Sequence, residues 1–258
     1  MTTAVKKKEE AQLPAAMMAD FEAEAGTGME AVDKDCTAIP FLKILQKLSP
    51  QCEKSDGKYI PGAEEGMIFN TVTEDTVDGL EGIEVVPVLF NRRIIEWEGT
   101  ESGSGLVAIH DLAAGLELMK GTTRDDKNND VLPNGHCLVD VREHYVLVVQ
   151  PDGTTYPALI SMSKSQSRIM GIRLVGQRGP FNPPSYSHVY KLTTITERNK
   201  DNKPYSNWKC DLVRQVGADE AHLVGEAKMM LEGLRGGTLK ADHAQMAEGS
   251  AGEEDTPF

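Results

Sequence analysis

Aromatic residues make up only 5% of the 258-residue chain, so every ring has to be accounted for. Cysteine is sparse as well. Cys36, Cys52, Cys137 and Cys210 stand far apart, no CxxC pair occurs, and the one His-Cys neighbour pair is His136-Cys137. This spacing excludes the usual zinc motifs, and scattered free thiols suit a reducing cytoplasm. No run of about 18 apolar residues is present, so no membrane-spanning helix is expected. Lys6, Lys7 and Lys8 are followed by no apolar core, so no secretory signal is expected either. The signatures GxxxxGK(S/T), GxSxG and HExxH are missing, and the acidic residues form no spaced metal cluster. A non-catalytic protein with no cofactor and no metal is therefore expected.

Charge is abundant and unevenly spread. The formal net charge is −13. Yet the stretch from Ile160 to Gln215 carries Lys164, Arg168, Arg173, Arg178, Lys191, Arg198, Lys200, Lys203, Lys209 and Arg214 against only Glu197, Asp201 and Asp211. A basic segment inside an acidic protein points to one surface made for an anion.

Periodicity and turn residues outline the elements. Ile39–Lys47 is a short apolar element, and its period does not decide between strand and helix. Met67–Val72 reads as a strand. Ile83–Glu98 is the longest β-like run, and Pro87 makes it edge-lying or bulged at that point. Residues 99–105 read as a loop. Asp111–Lys120 reads as a helix with Leu112, Leu116 and Met119 on one face, and residues 122–135 as an exposed loop. Cys137–Gln150 and Tyr156–Met162 are strands joined at Pro151-Asp152-Gly153. Ser163–Gly176 reads as a helix with Ser163 as N-cap. Ser187–Arg198 and Pro204–Val213 form a hairpin across Asn199-Lys200-Asp201-Asn202. Asp219–Leu234 is a last helix, stopped by Gly236-Gly237.

Strands without βαβ alternation predict a mainly β (α+β) fold: an OB-like antiparallel barrel or sheet with appended helices. Three regions follow. Residues 1–35 are a flexible arm, 36–237 a single β-rich nucleic-acid-binding domain, and 238–258 a disordered acidic tail that binds partners.

Unpaired nucleic acid needs cations that follow its phosphates and flat rings on which bases stack. The hairpin offers Tyr190, Tyr205 and Trp208 among Lys191, Arg198, Lys200, Lys203 and Lys209. Strand alternation puts Tyr190 opposite Lys191 and Trp208 opposite Lys209, so one member of each pair faces the core. Tyr205 and Trp208 are the favoured stacking rings. The Ser163–Gly176 helix adds Lys164, Arg168 and Arg173; Lys164 and Arg168 share a face and suit successive phosphates.

The last residues, Glu253-Glu254-Asp255-Thr256-Pro257-Phe258, follow a small polar stretch, Ala241–Gly252, that is not expected to fold. An aromatic ring can enter an apolar pocket while a basic rim holds the carboxylates, so Glu253, Glu254, Asp255, Pro257 and Phe258 are the candidate partner-binding residues. The pattern resembles the C-terminal tip of bacterial single-stranded DNA-binding proteins. The Ile39–Trp97 block, which contains IPFLKILQKLSP and GIEVVPVLF, looks like phage-encoded replication proteins. Size, acidic end and terminal Phe are similar to the single-stranded DNA-binding proteins of T7-like phages. That resemblance implies an OB fold that coats exposed strands in replication, recombination and repair. It also implies recruitment of DNA polymerase and helicase-primase through the tail, in the cytoplasm of a bacterial or phage-infected cell. A homodimer is an expectation by analogy. Two other readings stay open: an adaptor whose body binds protein instead of DNA, and a metal-dependent nuclease or recombination enzyme.

Overall fold

A computed structural model describes residues 24, 27, 39–99, 105–126, 128–167, 183–199, 202–243 and 245. The chain divides into units 1–37 and 38–258. Of the first, only Glu24 and Thr27 are described, joined by a turn in which the Thr27 amide donates to the Glu24 carbonyl. The architecture below is that of the second unit.

In chain order the strands are β1 (Leu42–Ile44), β2 (Ile68–Asn70), β3 (Thr76–Val77), β4 (Ile83–Trp97), β5 (Leu106–His110), β6 (Thr123–Arg124), β7 (Asp130–Val131), β8 (Cys137–Val149), β9 (Thr155–Ser163), β10 (His188–Arg198) and β11 (Pro204–Gln215). The helices α1 (Leu112–Met119) and α2 (Ala221–Gly236) flank them. The fold is mainly antiparallel β, an OB-like, curled half-barrel sheet with few helices, as the sequence pattern implies.

The spine is the β4–β8 pair, in register from Glu84↔Val149 to Trp97↔Cys137. Both strands are long enough to take two partners on their free edges. β4 pairs with β10 over Ile83–Val85 and with β5 over Ile94–Trp97. β8 pairs with β9 over Val141–Val149 and with β7 over Cys137–Leu138. β11 lies beyond β10, and β6 beyond β7. β1, β2 and β3 form a separate antiparallel sheet. It is tied to the large one by a Phe41–Leu159 bridge and by the Leu159 amide, which donates to the Pro40 carbonyl at 2.9 Å.

The large sheet buries both faces, which is why its central strands read as continuous apolar runs instead of alternating ones. On the first face, Val85, Val146, Val148, Ala158, Ile160, Met162, Tyr190, Leu192 and Trp208 pack under Leu42, Ile44 and Ile68 of the small sheet. On the second, Val86, Val88, Tyr145, Leu147 and Leu159 pack under Leu223, Ala227 and Met230 of α2 and under Ile39 and Phe41. Each fully buried aliphatic side chain contributes roughly 1.5–3 kcal/mol.

Pro87 marks a bulge, as expected, but on an interior strand and not an edge. Pro87 pairs with Val146 and Leu89 with Tyr145, so Val88 is the extra residue. An extra residue reverses which side chains point to which face. Before it, odd-numbered Ile83 and Val85 line the first face; after it, Phe90, Arg92, Ile94 and Glu96 do, opposite His144, Arg142, Asp140 and Leu138.

Several local expectations need correction. The Ile39–Lys47 element is extended. Residues 122–135 are not a plain loop, because β6 and β7 form a short hairpin there. β5 carries little strand signal beyond two exposed apolar residues, Val107 and Ile109. α1 starts as expected, with Asp111 Oδ1 accepting the Ala114 amide at 2.9 Å. Its buried contact is Gly115, however, while Leu116 is exposed. A Cβ at Gly115 would stand 2.3 Å from Ile94 Cγ1, so only glycine lets the helix lie this close to β4. Ser163 is the last residue of β9 and not a helix cap; residues 164–167 are helical, and the rest of that expected helix lies outside the described residues. α2 ends at Gly237, whose positive φ closes the helix.

Candidate nucleic-acid interface

The β10–β11 hairpin forms as expected, but its rings are not on the surface. Tyr190 is fully buried, Trp208 is 1% exposed and both belong to the first-face core. Tyr205 is buried too, and its hydroxyl donates to Glu197 Oε2 at 2.6 Å. Burial, with Glu197 beside it, pushes that phenol above its usual range. Asn207 Nδ2 donates to the same carboxylate oxygen at 2.9 Å. The three rings therefore pack the hairpin instead of stacking bases, which corrects the expectation for Tyr190, Tyr205 and Trp208. The expected alternation holds, and the ring of each pair is the member that lies inside.

Cations of the hairpin lie beside acids of the hairpin itself, of β4 and of the turn before α2. Lys191 sits in register between Glu84 and Asp211. Lys209 Nζ lies 2.7 Å from Asp211 Oδ2. Arg214 is held by Glu220 at 2.7 Å and by Glu84 at 2.6 Å, which raises its already high pKa further. Lys209 and Arg214 are thus ion-paired, and Lys191 stands in register beside two of the same acids. Arg198 Nη1 donates to the Asn202 carbonyl at 2.8 Å, and the Lys203 amide to Asn199 Oδ1, so both serve the turn. Lys200, Arg168, Arg173 and the tail residues Glu253, Glu254, Asp255, Pro257 and Phe258 lie outside the described residues.

A different surface combines an exposed ring with cations. Past the bulge, the first face runs beyond its hydrophobic core. There Phe90 is 43% exposed and lies against His144, with ring centroids 5.1 Å apart. The next cross-strand pair on this face is Arg92↔Arg142, followed by Ile94↔Asp140. Like charges directly opposite repel. Asp140 relieves this by taking Arg92 in a two-pronged ion pair, which raises the Arg92 pKa. Arg142 Nη1 donates to the Ser167 carbonyl at 2.8 Å. This places the start of the segment that carries Arg168 and Arg173 next to the strip. Lys164, directly after β9, donates to Asn129 Oδ1 at 3.4 Å. Composition could not single out Phe90, because its orientation depends on one extra residue at position 88.

Beneath Phe90, His144 is 2% exposed and its Nε2 has no hydrogen-bond partner. Burial, with Arg142 adding to it, lowers its pKa to about 4, so the ring is neutral at pH 7. Further along the same face, Glu96 sits between two imidazoles, with His136 Nδ1 at 2.6 Å and His110 Nε2 at 2.7 Å. The His136 hydrogen bond, and then that of His110, hold its carboxyl below the usual range against the opposing effect of burial. The two rings engage different oxygens of one carboxylate. No group of three His, Cys, Asp or Glu among the described residues is arranged to hold a metal ion.

The root of the tail is ordered, where none of it was expected to fold. Leu239 and Ala241 pack on the second-face core. His243 Nε2 lies 2.5 Å from Oε1 of the fully buried Glu143 and edge-on to Phe41. Gln245 is held at both ends: its carbonyl accepts from Lys43 Nζ and its Oε1 from Thr71 Oγ1, each at 2.7 Å.

The model of the Pam3 phage gp34-like protein family matches residues 7–240. The chain belongs to this family. The matched span takes in the whole large sheet and α2 and stops before His243. No curated protein and no solved structure matches this Pam3 phage gp34-like chain. Among its described residues, no helix is long and apolar enough to cross a membrane.

Proposed function

We propose that this phage-family protein binds single-stranded DNA without catalysis, coats exposed strands during replication, recombination and repair, and recruits replication proteins through its acidic Phe-ended tail. The observation that carries the reading is Phe90, exposed on an open sheet surface one residue pair away from Arg92 and Arg142. A ring on a sheet stacks a base without regard to sequence, and flanking guanidinium groups donate to the oxygens of the neighbouring phosphates. The basic segment that leaves from Ser167 would extend the phosphate track.

The test is anisotropy of a labelled oligo-dT of about 30 nucleotides and of the matching duplex over a salt series. Tight binding to the single strand, weak binding to duplex and a steep fall with salt are expected. Phe90→Ala should weaken the single-strand affinity while leaving the salt slope nearly unchanged; Arg142→Gln should flatten the slope. Binding to neither nucleic acid would favour the adaptor reading. That second reading draws on the hairpin, whose cations are matched by Glu84, Asp211 and Glu220.

A further inference from the structure

We propose that Glu96, His110 and His136 form a proton-gated site for a phosphate group, which lengthens the Phe90–Arg92–Arg142 strip when the two imidazoles are charged. The proposal deepens the strand-binding reading and rests on it for the source of the phosphate.

Register brings the three side chains together. Glu96 lies opposite Leu138 on β8 and Ala108 on β5. His110 stands two residues after Ala108 and His136 two residues before Leu138, so both reach Glu96 as diagonal neighbours on one face. Arg92 and Arg142 point to the same face, four residues back along β4, a distance of about 13 Å. α1, which follows β5, packs over Ile94 through Gly115 and bounds the strip there.

An ionised carboxylate only accepts, so each ring nitrogen that touches Glu96 carries a proton. His136 is therefore protonated on Nδ1 and His110 on Nε2. The other two nitrogens, His136 Nε2 and His110 Nδ1, have no hydrogen-bond partner among the described residues, and neither is buried. The two side chains are 28% and 21% exposed against 11% for Glu96, so an anion reaches the imidazoles while the carboxylate stays behind them. As neutral rings they turn lone pairs outward, which repel phosphate oxygens; as charged rings they turn out N–H donors. Histidine changes charge between about pH 5 and 8. The charge of the whole face changes with it. Arg92 and Arg142 are balanced by Asp140 and Glu96 while the imidazoles are neutral, and two added protons leave the face positive. The neighbouring charges have local tasks. Arg124 pairs with Asp130, Asp111 caps α1, Asp125 accepts from Asn129, Lys164 donates to Asn129, and Glu98 lies against Gly105.

The test titrates the full chain with inorganic tripolyphosphate and with labelled oligo-dT, each at pH 8 and pH 6. Tripolyphosphate, followed by calorimetry, should bind about tenfold more tightly at pH 6 than at pH 8. Combining His110→Gln with His136→Gln keeps a donor for Glu96 and should remove that gain, whereas His222→Gln, on α2, should keep it. Nitrogen-15 histidine spectra of the wild type at pH 8 should show opposite tautomers for His110 and His136, and tripolyphosphate at pH 6 should shift both. These spectra decide alone if the double variant fails to fold. Equal tripolyphosphate affinity at the two pH values, a gain that survives in the double variant, or like tautomers would overturn the proposal. Oligo-dT should show the same gain, and strand binding that ignores pH would overturn the proposal too. Oligo-dT that binds at neither pH, with the tripolyphosphate results as expected, would overturn the strand-coating reading and leave the phosphate site standing.

Discussion

The β10–β11 hairpin and the Phe90 strip are both β surfaces with aromatic and basic residues, yet the chain uses them in opposite ways. In the hairpin the rings go inward, Lys209 and Arg214 are ion-paired, and Lys191 lies in register with Glu84. In the strip the ring stays outward, and two arginines face each other with one acid between them. The difference shows that a local charge sum is a poor guide to a sheet surface. Glu84 lies more than a hundred residues from Arg214 in the chain and 2.6 Å from it in the fold.

The comparison can be broken first at Trp208. Trp208→Ala should cost about 3–5 kcal/mol, since it removes a fully buried ring; urea unfolding measures this. A variant as stable as the wild type, with weakened DNA binding, would return the stacking role to the hairpin.

The second probe is acid. Folded His144 stays neutral down to about pH 4, whereas in the unfolded chain it takes up a proton near 6.5. Between those values the unfolded state holds more protons. Stability from this group is therefore fully present above about pH 6.5 and is lost as pH falls toward 4, by about 3 kcal/mol. Glu96, whose folded pKa is lowered, adds a loss that begins in the ordinary carboxylate range and continues below it. Melting temperatures from pH 7.5 to 4 should fall in the wild type, and His144→Leu should remove most of the upper part of the slope.

Phe90→Ala comes next, with an expected loss of roughly 1–3 kcal/mol in single-strand binding and a small change in melting temperature, because the ring is exposed. Equal oligo-dT titration curves for variant and wild type would remove the strip as a binding surface. Lys209→Ala is the smallest effect. An exposed ion pair contributes about 0–1 kcal/mol, so both stability and DNA affinity should stay close to wild type.

The fold was largely legible in the sequence, because Ile83–Trp97 and Cys137–Val149 are largely buried on both faces and appear as apolar runs, while the β10–β11 hairpin shows strand alternation around a turn. The two-residue strands β6 and β7 carry too few side chains to leave a period. The site was harder to read. Trp208 and Tyr190 carry the same local signal whether they face core or solvent. The acids that answer Lys191 and Arg214 come from β4 and the turn before α2. The tail root looked unable to fold because it is polar, but His243 and Gln245 are ordered by single partners, Glu143 and the Lys43–Thr71 pair, which composition does not reveal.

Val88 is the residue on which the map of this surface turns. Because β4 is one residue out of step with β8 on either side of it, the stretch 90–97 behaves like text read in a shifted frame. Removing Val88 would merge the two frames into one regular ladder, with Leu89 still opposite Tyr145 and Phe90 still opposite His144 on the same sides of the sheet. Removing one residue after the bulge, Asn91, would instead send every later residue to the opposite side. Arg92 and Glu96 would then face α2's side of the sheet, and Arg93 and Ile95 would inherit the open one. Deletion of Asn91 should thus damage the surface far more than deletion of Val88.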